Sequence, residues 1–298
     1  MNLYVSLTEI KNFLDIGGTS KDALLLMLNK QATSDLNEML SVNDLALHKN
    51  TGEVRDAIGQ MLDLRDLHAV EIESITDDGI AYSQTDAYDI GNYRVYLQDF
   101  LRGGPRKALI SYAAGWNASG MSKITVSDVA GLAASATITL GNLTGATNGG
   151  TLTRGVAWAA KATEALEAAA IAAAINTTPY ARAFAINATV YVIENGGATI
   201  DVTPQLTGRT IATSDATRLA LSSATLSGVD FPESLRGALL LLVSGKLASR
   251  KAKGVKSYTI GTKTVTFATD ADAAEFKATI AAFKRVKVAA TKSRRDAP

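Results

Sequence analysis

Chemistry needs reactive side chains brought together, and this chain offers few at informative spacings. Its two histidines, His48 and His68, stand outside any metal-ligand spacing, so each reads as a surface or core histidine. There is no cysteine, which removes disulfides, thiolate metal sites and cysteine nucleophiles together. No Gly-x-Ser-x-Gly turn presents a serine nucleophile. Gly141, Gly145, Gly149 and Gly150 lack the Gly-Lys-Ser/Thr ending and the dinucleotide spacing that cradle phosphate. Asp270, Asp272 and Glu275 could suggest a cation site, but acids in the first turn of a helix complement its dipole. Asp77-Asp78 precedes Gly79 in a turn, where aspartate bonds its own backbone. Trp116 and Trp158 lack the basic, aromatic-rich surround of a base-stacking site. The expectation is a protein that is not an enzyme and uses no cofactor or metal.

The elements that would position any site come from the wider pattern. The chain has 298 residues, 47% hydrophobic and 20% charged, a length of about two domains and too apolar for wholesale disorder. Met1 to Glu9 shows no secretory signal, and the run Ala238–Val243 is far short of the ~20 residues of a membrane span, so a soluble protein is expected. Charge is uneven. Residues 1–117 hold 10 basic and 17 acidic side chains, residues 118–228 hold 6 of each, and residues 229–298 hold 14 basic and 6 acidic. Either the two ends fold together and neutralise each other, or copies meet head to tail, or the basic end docks on another protein or on nucleic acid.

Ser6 with Glu9 forms a capping box for a short helix carrying Leu7, Ile10, Phe13 and Leu14, ended by Gly17-Gly18. Thr19 or Ser20 caps a second helix with Leu25, Leu28, Ala32, Leu36, Met39 and Leu40 in one stripe. Residues 42–59 give no clear pattern. Val70, Ile72 and Ile75 then alternate with polar residues, Asp77-Asp78-Gly79 turns the chain, and Tyr93, Val95 and Leu97 alternate again. Gly103-Gly104-Pro105 breaks, and Ala108–Ala113 reads as another strand. Residues 118–228 shift to Ala, Thr and Gly, with strands at Ala136–Leu140, Ala183–Ile193 and Thr199–Val202 and a helix over Val156–Ile175. Asn117–Gly120 and Ser227-Gly228 read as linkers around an inserted domain. Pro232, at helix position N1, opens a leucine-rich helix reaching about Lys253, apolar on almost every side and therefore central. A hairpin around Gly261-Thr262 puts Tyr258, Ile260, Val265 and Phe267 on one face, which must lie against a helix or a neighbouring chain. Thr269 and Asp272 start a last helix with Phe276, Ile280 and Phe283, followed by a basic tail with no core face. The predicted fold is α+β: a helical bundle with a small antiparallel sheet and a β-hairpin, plus an inserted small α/β domain. Residues 1–117 and 229–298 form a discontinuous core, 118–228 the insert, and 288–298 an extended basic arm.

Several blocks in this order resemble a known family. Tyr4-Val5-Ser6-Leu7-Thr8-Glu9-Ile10-Lys11, the strand–turn–strand of Ala69–Trp116 ending Ile110-Ser111-Tyr112-Ala113-Ala114-Gly115-Trp116, and Phe231-Pro232-Glu233-Ser234-Leu235-Arg236-Gly237-Ala238-Leu239-Leu240 look like the head–tail connector (adaptor) proteins of tailed bacteriophages, which bind beneath the portal. The hairpin and last helix, Lys256–Val286, match the family's order of elements. The resemblance covers both ends and not the middle, where about 110 residues separate blocks that the family keeps close. It implies a homo-oligomeric ring of twelve copies in the virion neck, assembled in the host cytoplasm, bound to the portal protein and to the next neck or tail protein. The ring would extend a channel through which DNA passes without specific binding. Carried over, portal binding falls on the arm: Lys284, Arg285, Lys287, Lys292, Arg294 and Arg295. A ring also offers a neighbour to cover the hairpin residues Tyr258, Ile260, Val265 and Phe267. Two alternatives stand beside this reading, a neck stopper or tail-completion protein below the adaptor, and a DNA-binding packaging factor.

Overall fold

The computed structural model describes residues 3–82, 87–90, 94–118, 120–142, 150–178, 181–194, 209–228, 230–250, 256–260, 263–267 and 269–283. Its first helix obeys the capping box: the Ser6 hydroxyl accepts from the Glu9 amide at 3.1 Å, and the Glu9 carboxylate accepts from the Ser6 amide at 2.7 Å. Helix α1 (Leu7–Phe13) ends a turn before Gly17, where Asp15 takes a left-handed φ of 50°. Helix α2 (Asp22–Leu40) starts from Lys21 without a side-chain cap, not from Thr19 or Ser20, and buries all six residues of the expected stripe.

The patternless stretch 42–59 contains most of a long strand. β1 (His48–Asp63), β2 (Ala69–Asp77), β3 (Ile80–Tyr82), β4 (Ala87–Ile90) and β5 (Arg94–Ala114) form one antiparallel sheet in the order β1-β5-β2-β3, with β4 also on β5. Bulges between Asn50 and Met61 destroy the period-two pattern, which is why the sequence is silent there. In β2 a bulge between Ile72 and Ser74 lets Ile72 and Ile75, an odd distance apart, share the buried face. Gly103-Gly104-Pro105 does not end β5; the strand bends through it with positive φ at Gly104 and Arg106. Chain length demands such a bend. Asp63 pairs with Arg94 and Ala69 with Ala114, while the 64–68 connection reaches about 22 Å at most. A straight β5 would extend roughly 66 Å. The β1–β5 ribbon therefore folds back on itself, and Leu62, Leu64, Val95 and Leu97 close over Ile72, Ile75, Ile110 and Tyr112.

The middle of the chain holds β6 (Met121–Val126), β7 (Thr137–Asn142), β8 (Gly150–Thr153), α3 (Glu164–Ile175), β9 (Ala181–Ile186), β10 (Thr189–Glu194), β11 (Arg209–Thr213) and β12 (Leu219–Leu221). These make two antiparallel sheets, β12-β6-β10-β9 and β11-β7-β8, around a core drawn from residues 124–226. Helix α3 covers only the second half of the expected helix. Thr163, in extended conformation, caps it, while Trp158 and the Lys161 amide are held by Glu167 in a non-helical approach. The expected long strand Ala183–Ile193 is a hairpin turned at Asn187, whose φ is 49°. The expected strand Thr199–Val202 lies outside the described residues.

The chain then returns to the first core. Helix α4 (Glu233–Arg250) starts just after Pro232, whose carbonyl accepts from the Arg236 amide at 3.0 Å, one position later than expected. It packs against α1 and α2, the hairpin β13 (Lys256–Ile260) and β14 (Lys263–Phe267), and α5 (Asp270–Phe283), as the central helix. Part of the opposite charge of the two ends is neutralised within the chain, through Arg236 with Glu9 and Lys246 with Asp35 at 2.6 Å. The expectation of a helical bundle with one small sheet is overturned. Among the described residues, five α-helices share the fold with four sheets of antiparallel strands, and the insert too is antiparallel.

Candidate functional site

The residues carrying the resemblance converge on one aromatic joint. Tyr4, just before α1, stacks on Phe231 with ring centroids 5.0 Å apart; Trp116, just past β5, meets Phe231 edge-on at 6.2 Å and Phe283 of α5 at 6.0 Å. The His68 ring lies parallel to Trp116 at 5.1 Å, and burial holds its pKa below the ordinary imidazole value, favouring the neutral ring. Trp116 is fixed by its backbone: its amide donates to the Leu45 carbonyl and its carbonyl accepts from Leu47, both at 2.8 Å. Close approach here requires Gly115, because a Cβ would stand 2.5 Å from the Ala46 oxygen at a φ of 102°. Phe283 is the last described residue before the candidate portal-binding residues Lys284 and Arg285, and it precedes the 288–298 arm by five positions.

The insert leaves the same joint through paired strands. Asn117 donates its amide to the Asp230 carboxylate and its side chain to the Gly228 carbonyl at 2.7 Å, while the Asp230 amide returns a bond to Asn117 at 3.0 Å. Met121 and Ser227 exchange bonds at 3.0 and 3.2 Å. The expected linkers are thus a two-stranded neck, tight enough that Gly120 abuts the Leu226 carbonyl. A second seam fastens the insert to the five-stranded sheet. Leu47 and Ala113 pack with Ile186, Tyr191 and Ile193; the Tyr191 hydroxyl donates to Glu71; and Lys49 reaches the Ala185 carbonyl at 2.8 Å.

Beneath the joint lies a polar cluster that no motif or spacing announces. Asp66, fully buried, accepts from the Asn43 amide at 2.6 Å, the Asn50 side chain at 2.8 Å and His48 Nε2 at 3.1 Å. His48 Nδ1 faces the Ala46 carbonyl at 2.8 Å. Burial opposes the charge on both groups, but their mutual attraction and bonds prevail, so His48 titrates above its ordinary value and Asp66 below. The Tyr4 hydroxyl, between Asn37 and Asp44, and the Tyr112 hydroxyl, donating to Glu53, extend the cluster. The partners of the His48 ring are a carbonyl, a carboxylate and a side-chain amide. Among the described residues no group of three or more acidic or histidine side chains is arranged to hold a metal ion.

The hairpin has the expected register, Tyr258 opposite Val265 and Lys256 opposite Phe267. Its apolar face is not open to a neighbouring copy at Val265 and Phe267, however. These are 3% and 0% exposed in the chain's own core, with Phe276 and Ile280 of α5. Covering each within the chain stabilises by about 1.5–3 kcal/mol, so no neighbour is needed there. The side chains of Tyr258 and Ile260, and all six arm residues Lys284, Arg285, Lys287, Lys292, Arg294 and Arg295, lie outside the described residues. No described helix is long and apolar enough to cross a membrane. No family model matches this chain, and no curated protein matches it.

Proposed function

We propose that this chain is a structural head-to-tail connector of a tailed bacteriophage, forming a ring beneath the portal and continuing the DNA channel toward the tail. The observation that carries the reading is the convergence of its separated blocks. Tyr4, Trp116, Phe231, Phe267 and Phe276, drawn from both sides of the insert, share one core, in the order helix pair, sheet, leucine helix, hairpin, helix. In this reading the basic arm engages the portal, its cations offering charge to an acidic partner surface. The acidic 1–117 region and the basic 229–298 region of adjacent copies supply the two unlike surfaces of a closing heterologous interface. The paired neck and the seam at Tyr191 hold the insert at a fixed attitude to the ring, suited to contacting a neck or capsid neighbour.

The test is to mix the purified chain with the portal protein of the same phage and image the product by electron microscopy. A portal-bound ring supports the proposal, and removal of residues 284–298 abolishes binding while leaving the fold intact. A chain that stays monomeric and ignores the portal overturns it. Binding only to a preformed connector–portal complex supports the stopper alternative, and salt-sensitive retention on DNA supports the packaging factor.

A further inference from the structure

His48 sits where the α2–β1 and β1–β2 connections meet, between Leu47 and Lys49, the two residues through which this part of the chain reaches the insert. Its Nδ1 is fixed on the Ala46 carbonyl at 2.8 Å, an acceptor that requires a proton on that nitrogen. Its Nε2 faces two groups of opposite character. Asp66 Oδ2, at 3.1 Å, accepts; Asn50 Nδ2, at 3.2 Å, donates. We propose that His48 is a two-partner proton switch in the seam between the α2–β1 connection, the β1–β2 connection and β1, donating from Nε2 to Asp66 when charged and accepting from Asn50 when neutral.

Both states satisfy every ring nitrogen, so the switch needs no large movement. When His48 carries the proton, the charges of His48 and Arg182 stand against those of Asp66 and Asp44. Arg182, from β9 of the insert, senses the Asp44 charge, and so does His48. When the proton leaves, Asp66 keeps three donors, two from Asn43 and one from Asn50, but loses its counter-charge. The Tyr112 hydroxyl, between the Asp66 amide and Glu53, adds the β5 side of this environment. The seam therefore changes its net charge by one at a position 17% exposed on the histidine and closed on the aspartate. The Leu45–Leu47 segment that carries Ala46 is bonded directly to Trp116, so the Nδ1 partner of His48 is tied to the aromatic joint.

The experiment is an NMR titration of the imidazole nitrogens in the full chain, with Asp66→Asn and Asn50→Ala beside it. The expected midpoint lies above the ordinary 6.5, and the neutral form keeps its proton on Nδ1. Asp66→Asn lowers the midpoint by about one pH unit or more. Asn50→Ala raises it, because the neutral form loses its donor. A wild-type midpoint at or below 6.5, or a neutral ring with its proton on Nε2, overturns the switch. Should a variant fail to fold, the wild-type midpoint and tautomer still decide the matter. Neither outcome depends on ring formation, so it stands or falls apart from the connector reading.

Discussion

Glu167 shows how much one side chain can organise. It is fully buried and accepts from Arg154 Nε at 2.7 Å, Trp158 Nε1 at 2.8 Å and the Lys161 amide at 2.7 Å, fixing the loop that leads into α3. Burial opposes its charge, but these bonds win and hold its pKa below the ordinary carboxylate value. Glu167→Gln leaves Arg154 buried with an uncompensated charge and should destabilise by about 3–5 kcal/mol in a denaturant titration. Replacing both partners together, Arg154→Met with Glu167→Leu, should cost markedly less, since no orphan charge remains. Proton linkage at His48 and Asp66 is argued at the same scale. The raised His48 value contributes stability that is full below 6.5 and is lost as pH rises through the higher folded value. The lowered Asp66 value contributes stability present above 3.8 and lost as pH falls through the lower folded value. Both contributions hold together between 3.8 and 6.5. Melting temperatures of wild type and His48→Gln should therefore differ most near pH 5.5 and converge toward pH 9; a gap that stays constant across this range would contradict the linkage. His68 carries the opposite sign: its depressed value favours the fold above 6.5 and loses that contribution in acid.

Among the elements, β5 and its neighbours decide the architecture. Local bulges turn a 21-residue strand into two legs of a folded ribbon, and the joint at its carboxyl end depends on Gly115. Gly115→Ala would place a methyl against the Ala46 carbonyl in a left-handed backbone, so it should destabilise by more than about 1 kcal/mol. The loss should be visible as a lower melting temperature and a changed Trp116 fluorescence environment. Unaltered fluorescence and stability would mean that the joint tolerates displacement. Elements governed by near neighbours were legible from sequence: the capping box of α1, the stripe of α2, the register of β13 with β14 and the buried leucines of α4. Those shaped by distant contacts were not. Bulges hid β1, and the start of α3 was displaced by a glutamate that binds the preceding loop.

For the whole molecule, the insert is the largest variable. Its two ends meet, since the Asp230 amide bonds the Asn117 carbonyl at 3.0 Å, and Ala118, Gly228 and Val229 remain to close the gap after excision. Deleting residues 119–227 should leave a folded core with native far-ultraviolet helicity, but a lower melting temperature. Leu47 and Ala113 lose their cover, and Glu71 and Lys49 lose Tyr191 and Ala185. An unfolded product would show that the core depends on the insert for its fold.

What the sequence determined by itself is the set of local commitments: where α1 and α2 run, where the hairpin pairs and which leucines face inward. These follow from 3.6- and two-residue periods, caps and composition, which act over a few positions. Tertiary structure alone decided that β5 folds back, that the supposed linkers pair into a neck, that Val265 and Phe267 are covered by their own chain, and that His48 meets Asp66. Such contacts join residues far apart in the chain, and no period or cap encodes them; only closure of the core brings the partners together.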